Sequence, residues 1–200
     1  MKLSTFVKSS VAFAGLWAQV GLADVVGEWY TDCTEMTEQG VTVYVTDYYA
    51  FNADGTFSQE SAVYQDKKCN KLFILNTFEG SFLETANTTH SDLNMTLEKH
   101  YFTFSALLAP LMPILNKEAM CGYKDWKVDA KKEVTGKVCE LNILGQKQEF
   151  PTLMQAESVF SIVGIESGTL YMGELTVDLD GSAEDKRPTD LNKTIGYTKL

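Results

Sequence analysis

Hydrophobic and polar residues alternate along much of the chain with the period of two that is typical of β-strands. The clearest segment is residues 41–51, which is rich in β-branched and aromatic side chains on both faces. One of its faces carries Val41, Val43, Val45, Tyr49 and Phe51. Residues 52–55 read Asn-Ala-Asp-Gly, which is typical of a tight turn, and residues 56–64 alternate again. The pattern therefore predicts a β-hairpin here.

The same period predicts a first strand over residues 27–33 and further strands after the hairpin. These are residues 72–83, 92–104, 121–129, 134–144, 158–165 and 169–175. Residues 146–155 are predicted to be a polar connection. Within residues 92–104 the apolar positions change parity, which predicts a β-bulge near residues 99–101, and Gly80 predicts another bend. About nine amphipathic strands with few long crossovers favour a mainly all-β fold, which is an antiparallel barrel or a sandwich.

Residues 105–120 interrupt the alternation. Pro110 and Pro113 exclude one regular helix through the whole stretch, so we predict two short helices or one that starts at a proline. The apolar residues of this segment are Leu107, Leu108, Leu111, Met112, Ile114 and Leu115. They are interpreted either as a lid over a ligand pocket or as plain core that closes one barrel end.

The first 23 residues have the features of a secretory signal peptide. Lys2 and Lys8 precede an apolar run, and Gly21 and Ala23 are small residues at a cleavage position. Residues 24–200 are predicted to form one domain with a polar tail from about residue 176. No later apolar run reaches the roughly 20 residues that a membrane span needs. We expect a secreted protein, extracellular or, in a bacterium, periplasmic.

The whole chain has a formal net charge of −10, and without the leader the balance is 15 basic against 27 acidic residues, or −12. Such a charge does not favour binding to nucleic acid. Four cysteines in an exported chain favour two disulfides over a metal site. A hairpin centred on Ala130 would place Cys121 opposite Cys139, which leaves Cys33 to pair with Cys69.

Catalytic patterns are weak. The two histidines are His90 and His100, and His90-Ser91-Asp92 cannot form a triad because strand neighbours point to opposite faces. The acidic residues near Asp180 lack the spacing of a calcium loop. We therefore predict no catalytic residues, no metal and no cofactor.

The chain resembles the adenomatosis polyposis coli down-regulated domain family, a Wnt-antagonist type of extracellular module with a lipocalin-like barrel. The resemblance rests on Gly27-Glu28-Trp29 with Cys33, Tyr49 to Phe57 with Cys69, Leu115-Asn116, Cys121-Gly122, Trp126, Val134-Thr135, Cys139, Leu170-Tyr171-Met172-Gly173 and Arg187-Pro188-Thr189. It implies a β-barrel that binds a lipid. Family members in animals carry two such domains and a membrane anchor, whereas this chain looks like one domain without an anchor.

The leading hypothesis is a secreted, non-enzymatic binding protein that holds a lipid or another apolar small molecule. The predicted ligand-binding residues are Val43, Val45, Phe57, Ile74, Phe78, Met95, Leu97, Leu107, Leu108, Leu111, Met112 and Leu115. The alternative is a protein-interaction or envelope-structural barrel with a filled interior. A weaker alternative is an enzyme that uses a buried carboxylate with a raised pKa facing a cavity.

Trp29 and Arg187 are predicted to have structural roles. In lipocalin-type barrels a Gly-x-Trp ring plugs the closed end, and a late basic side chain packs across it. Arg187 is the only arginine of the chain, and guanidinium stacks well on an indole face. We therefore expect the tail to fold back and set Arg187 against Trp29, with a frayed acidic tail as the alternative.

Overall fold

The computed structural model of the protein describes residues 24–38, 41–143 and 146–200. The predicted signal peptide, residues 1–23, lies outside these described residues, as does the predicted strand end at Leu144.

The described chain is mainly β-structure with a short helical segment near its middle. The strands are β1 Gly27–Thr31, β2 Thr34–Glu38, β3 Val41–Phe51, β4 Thr56–Tyr64, β5 Leu72–Ala86, β6 Ser91–Phe104, β7 Lys132–Glu133, β8 Cys139–Ile143, β9 Gln146–Phe150, β10 Glu157–Glu166, β11 Thr169–Met172 and β12 Tyr197–Lys199. One α-helix, α1, spans Met112–Lys117, and 3-10 turns cover Ala106–Leu111, Met120–Gly122 and Glu184–Lys186.

Eight strands close into an antiparallel barrel, as the sequence predicts. Their order around the barrel is β1, β3, β4, β5, β6, β10, β11 and β12, and β12 pairs with β1 to complete the circle. The strand β2 pairs with the first part of β3, residues 41–45. The strand β7 pairs with the last part of β6. The strands β8 and β9 form a separate two-stranded sheet.

The predicted hairpin is confirmed with its exact turn. Phe51 lies opposite Phe57, and Gly55 has a φ of 82°, which a glycine adopts without strain. The Asp54 carboxylate accepts a hydrogen bond from the Thr56 N–H at 3.0 Å and so holds the turn.

The predicted bulge in β6 is confirmed, but its extra residue is Glu98 rather than one of residues 99–101. Glu79 lies opposite Lys99, whereas the next residue, Gly80, lies opposite Leu97. A Cβ atom at Gly80 would sit 1.8 Å from the Thr96 carbonyl oxygen, so this approach requires glycine. The register shift keeps apolar side chains on the inner face of β6 on both sides of the bulge.

Two predictions in the middle of the chain are wrong. Residues 121–129 form no strand, because Cys121 has a φ of 54° and Trp126 is held by the side chain of Asn116 rather than by a neighbouring strand. Residues 146–155 are not wholly a connection, since the first five form β9. The alternation around Trp126 reflects packing into a core cluster, which periodicity alone does not distinguish from a strand.

Both predicted disulfides are present, Cys33–Cys69 and Cys121–Cys139. The hairpin that suggested the second one does not exist. Cys121 lies in a 3-10 turn and Cys139 begins β8, so the bridge fastens two segments that no backbone ladder joins.

The polar tail from about residue 176 is part of the folded domain. Residues 173–191 lie against β10, where the Phe160 N–H donates to the Gly181 carbonyl at 2.8 Å and Gly173 bridges Leu191. The chain then enters β12 and closes the barrel. The frayed-tail alternative is thus wrong.

The buried apolar residues form two clusters. The closed-end cluster contains Val25, Trp29, Tyr49, Phe51, Phe57, Leu93, Met95, Val163, Leu170 and Tyr197. The lid-end cluster contains Ile74, Phe102, Phe104, Leu108, Met112, Leu115, Met120, Cys121, Trp126, Val134, Cys139 and Leu141. The second cluster joins the ends of β5 and β6 that lie away from the β3–β4 turn to the irregular segment after β6.

Candidate functional site

A cavity of about 260 Å³ lies in the lid-end cluster, between the barrel wall and the helical segment, and we call it the lid cavity. Its described lining is Phe73, Ile74, Asn76, Phe102, Phe104, Leu108, Leu111, Leu115, Met120, Leu141, Phe150 and Pro151. Asn76 is the one polar side chain in that set. The lid cavity can therefore hold an apolar group at little desolvation cost.

The lid segment, residues 105–122, is anchored at both ends. At its start the Ser105 hydroxyl donates to the Leu72 carbonyl and accepts from the Leu107 N–H, so it caps the first turn. Near its end the Asn116 amide accepts from the Trp126 N–H at 2.6 Å and donates to the Trp126 carbonyl at 3.1 Å. The Cys121–Cys139 disulfide fixes the segment that follows. These contacts hold the leucines over the wall.

His100 is a buried polar side chain beside the lid-end cluster. It is 2% exposed, stacks on Phe78 with ring centroids 4.1 Å apart and meets the edge of Phe102. Burial lowers the pKa of His100 to about 4. Its Nδ1 accepts a hydrogen bond from the Leu153 N–H, so the neutral ring carries its proton on Nε2, which has no partner among the described residues.

A second cavity, of about 290 Å³, lies inside the barrel on the side of β10, β11 and β12, and we call it the tyrosine cavity. It is lined by Tyr49, Met95, Val159, Ser161, Met172, Gly173, Leu175, Asn192, Ile195 and Tyr197. This lining mixes thioether and aliphatic groups with hydroxyl and amide groups. The tyrosine cavity is therefore suited to a ligand with both an apolar and a polar part.

Asp47 stands next to the tyrosine cavity on the inner face of β3, two residues before Tyr49. Burial raises the pKa of the Asp47 carboxyl, while a hydrogen bond from Ser61 acts in the opposite direction. Burial also raises the pKa values of Tyr49 and Tyr197. At Tyr49 the neighbouring Tyr197 and then the charge of Asp47 add to this effect, and at Tyr197 the charge of Asp47 adds to it.

Several of the predicted ligand-binding residues meet in these cavities. Ile74, Leu108, Leu111 and Leu115 line the lid cavity, and Met112 packs in the same cluster. Met95 lines the tyrosine cavity instead.

The other predicted ligand-binding residues line neither of these two cavities. Phe57 and Leu97 pack in the closed-end cluster, and Phe78 covers His100. Val45 is buried, and Val43 lies in the part of β3 that pairs with β2. Leu107 is 47% exposed, because the first 3-10 turn directs Leu108 inward and Leu107 outward.

The predicted contact between Arg187 and Trp29 is wrong. The Arg187 guanidinium donates to the Ser161 carbonyl at 2.6 Å and to the Asn94 amide oxygen at 2.7 Å, and it lies 5.5 Å from the Phe160 ring centroid. The cation over Trp29 belongs to Lys199, whose Nζ is 5.1 Å from the ring. The tail crosses the outer side of the wall, so its arginine cannot reach an inward indole.

The sequence-based prediction of ligand-binding residues included none of the aromatic residues that line the two cavities. The alternation of residues 92–104 predicts an apolar face but assigns neither Phe102 nor Phe104 to a pocket, and Phe150 falls within the predicted polar connection. Asp47 had a readable signal, because it is a charged residue at an odd position of the otherwise apolar face of residues 41–51. A charge at such a position indicates either that the interior of the barrel is partly polar there or that the residues do not form the predicted strand.

The described residues contain no group of three or more His, Cys, Asp or Glu side chains that could hold a metal ion. In the same part of the chain, no helix has the length and apolar character needed to cross a bilayer. No family model matches the chain, and no curated protein matches its sequence.

Proposed function

We propose that this protein is an exported, non-enzymatic binding protein that holds a lipid chain or another apolar small molecule in the lid cavity. The observation that carries the proposal is the cavity of about 260 Å³ with its almost wholly apolar described lining. Aromatic side chains of the barrel wall form one side, and leucines of the lid segment form the other.

The size of the lid cavity limits the ligand. Ligand sites in proteins commonly measure about 300–1,000 Å³, so this cavity suits a small apolar molecule or part of one acyl chain. Each methylene that leaves water contributes about 0.8 kcal/mol to binding. An apolar ligand would therefore gain affinity with chain length until the cavity is full.

Two further observations support the proposal. The resemblance to the adenomatosis polyposis coli down-regulated family implies a lipid-binding barrel. The two disulfides are typical of proteins that leave the reducing cytosol, which agrees with export.

The alternatives have less support. A barrel with a filled interior is disfavoured by two cavities in the described residues. The enzymatic alternative calls for a buried carboxyl with a raised pKa, and Asp47 has that property, but it lines neither of these cavities.

The test measures binding of the neutral probe N-phenyl-1-naphthylamine. The fluorescence of the probe is excited at a wavelength that tryptophan does not absorb. Leu111 is a partly buried residue of the lid-cavity lining. Leu111→Trp is therefore expected to fill the cavity and to weaken probe binding at least tenfold. Leu107→Trp is the matched control, since Leu107 is an exposed leucine of the same segment.

Fatty alcohols are expected to displace the probe, and their affinity is expected to rise with chain length and then to level off. The proposal fails if the wild-type protein binds neither the probe nor the alcohols. It also fails if the two tryptophan variants, shown by thermal unfolding to be folded, weaken binding equally.

A further inference from the structure

The tyrosine cavity is lined by two hydroxyl groups that make no hydrogen bond to the described part of the chain. Tyr49 and Tyr197 are each 7% exposed, and their rings meet edge to face with centroids 5.5 Å apart. Neither hydroxyl makes a hydrogen bond to any residue that the structure describes. The buried polar atoms without a partner among the described residues are on Glu84 and His100, so the two tyrosine oxygens keep access to the cavity or to solvent. Two hydroxyl groups that line one cavity and are not used by the described fold are available to a ligand.

The charged side chains on the inner face of the barrel are mostly acidic. Residues that lie opposite each other on neighbouring strands share a face, so the register identifies the charged side chains on the inner face of the barrel strands. Within the described residues these are Asp47, Glu84, Glu157 and Lys199.

The one cation of that set is not available to a ligand in the cavity. The Lys199 Nζ donates to the Val26 carbonyl at 3.0 Å and lies over Trp29, in the closed-end cluster. Arg187 reaches the Ser161 carbonyl, but it is also bonded to Asn94 and lies near the Phe160 ring. Asp47 is the charged group that neighbours Tyr49 on its own strand face.

We infer that the tyrosine cavity is a second binding site, which takes a small organic amine in its protonated form. The ammonium group would lie against the Tyr49 and Tyr197 rings. Asp47 is not part of the described lining, so its carboxylate would attract the positive charge from beside the cavity rather than by direct contact. The hydrocarbon part would lie against the aliphatic and thioether lining, formed by Met95, Val159, Met172 and Ile195.

The chemistry of the three side chains fits this ligand class. An ammonium group donates hydrogen bonds, and a tyrosine hydroxyl can accept one while its ring attracts the positive charge. A carboxylate held away from water lacks a counter-ion, which agrees with the raised pKa of Asp47. An anionic ligand would bring a second negative charge to the same place and would be repelled.

The first test compares three probes with one phenylethyl framework on the wild-type protein by isothermal titration calorimetry. They are 2-phenylethylamine, which is cationic, 2-phenylethanol, which is neutral, and 3-phenylpropanoate, which is anionic. We expect the amine to bind at least tenfold more tightly than the other two. Equal affinities, or tighter binding of the anion or the alcohol, would overturn the inference.

The second test removes the charge. Asp47→Asn is expected to weaken amine binding at least tenfold and to leave binding of 2-phenylethanol unchanged. Tyr197→Phe, which keeps the ring and loses the hydroxyl, is expected to weaken amine binding severalfold. Tyr48→Phe is the matched control, because Tyr48 lies on the opposite face of β3 from Tyr49. A folded Asp47→Asn protein that binds the amine as tightly as wild type would contradict the proposed role of the carboxylate.

The two sites can be tested separately. Leu111→Trp fills the lid cavity and is expected to retain amine binding, while Asp47→Asn is expected to retain N-phenyl-1-naphthylamine binding. Loss of amine binding in Leu111→Trp would show that the amine occupies the lid cavity, and the second site would then be rejected while the proposed function stood.

Discussion

Trp29 and Trp126 are both 2% exposed, and both donate the indole N–H to a backbone carbonyl, yet they belong to different kinds of core. Trp29 lies in β1 and donates to Val25 at 2.7 Å, in a cluster that the barrel strands build together. Trp126 lies in a segment without strand pairing and donates to Met120 at 2.9 Å.

The difference shows how the two ends of the barrel are made. The closed end is formed by strands whose register places their side chains, and Trp29 fills it between β3 and β12. The lid end depends on side-chain contacts of an irregular segment, such as the Asn116 bonds to Trp126. Irregular packing leaves space, and the lid cavity lies there.

The largest expected effects come from truncating these two tryptophans. Trp29→Ala is expected to lower the free energy of unfolding by about 3–5 kcal/mol, because it opens a cavity in a core that all barrel strands share. Trp126→Ala removes a similar area, but we expect the lid segment to lose amide protection while β3 and β4 keep theirs. Urea unfolding and amide hydrogen exchange measure the two effects.

The exposed neighbour Tyr30 supplies the control for the first variant, and Tyr30→Ala is expected to change stability by about 0.5 kcal/mol or less. Equal loss of protection throughout the barrel in the Trp126 and Trp29 variants would show that the two ends unfold as one unit.

The next effect concerns acid. Because burial lowers the pKa of His100 to about 4, the folded protein keeps this ring neutral while the unfolded chain is protonated below about pH 6.5. The stability that His100 contributes is therefore complete above pH 6.5 and is lost as the pH falls toward 4, by up to about 3 kcal/mol. Urea unfolding across this pH range should show the slope, and His100→Gln should reduce it.

Met120→Leu separates titration from packing. Met120 belongs to the lid-end cluster, so the variant disturbs the same core without removing a titratable group. It is expected to lower stability at every pH and to leave the slope unchanged. If the free energy of unfolding of His100→Gln still falls with pH as steeply as that of the wild type, other groups cause the acid sensitivity.

The smallest effect concerns the cation over Trp29. Lys199→Met keeps the aliphatic stem and removes the charge, so we expect a loss of about 0.5–1 kcal/mol and a changed tryptophan emission. Lys193 lies over the less buried Tyr171 ring and pairs with Glu166 in an exposed ion pair, so Lys193→Met should cost less. If Lys199→Met changes neither the stability nor the tryptophan emission, the contact between Lys199 and the Trp29 ring does not stabilise the closed end.

Much of the wall could be predicted because strand alternation is a local property. The hairpin of β3 and β4, the bulge in β6 and the last hairpin each depend on neighbours in sequence or on turn residues. The cysteine pairing was also predicted, although the hairpin used to derive the second bridge is absent. The alternation near Trp126 misled because a side chain buried in an irregular segment has the same periodicity as one in a strand.

The candidate sites were predicted only in part. The lid leucines stood out as an apolar cluster with prolines, and three of them line the lid cavity. Phe150 ends β9, Pro151 follows it, and Tyr197 begins β12, so no local pattern connects them with Ile74 or Tyr49.

The mainly β fold class, the amphipathic strands, their turns and the apolar helical interruption could all be predicted from the sequence. These features follow from the conformational preferences of single residues and of their neighbours in sequence. Only the folded barrel shows that β12 closes it on β1, that Lys199 rather than Arg187 covers Trp29, and that Asp47, Tyr49 and Tyr197 share the inner face. These features depend on strand register across long separations, and the free energy of packing the whole barrel selects that register.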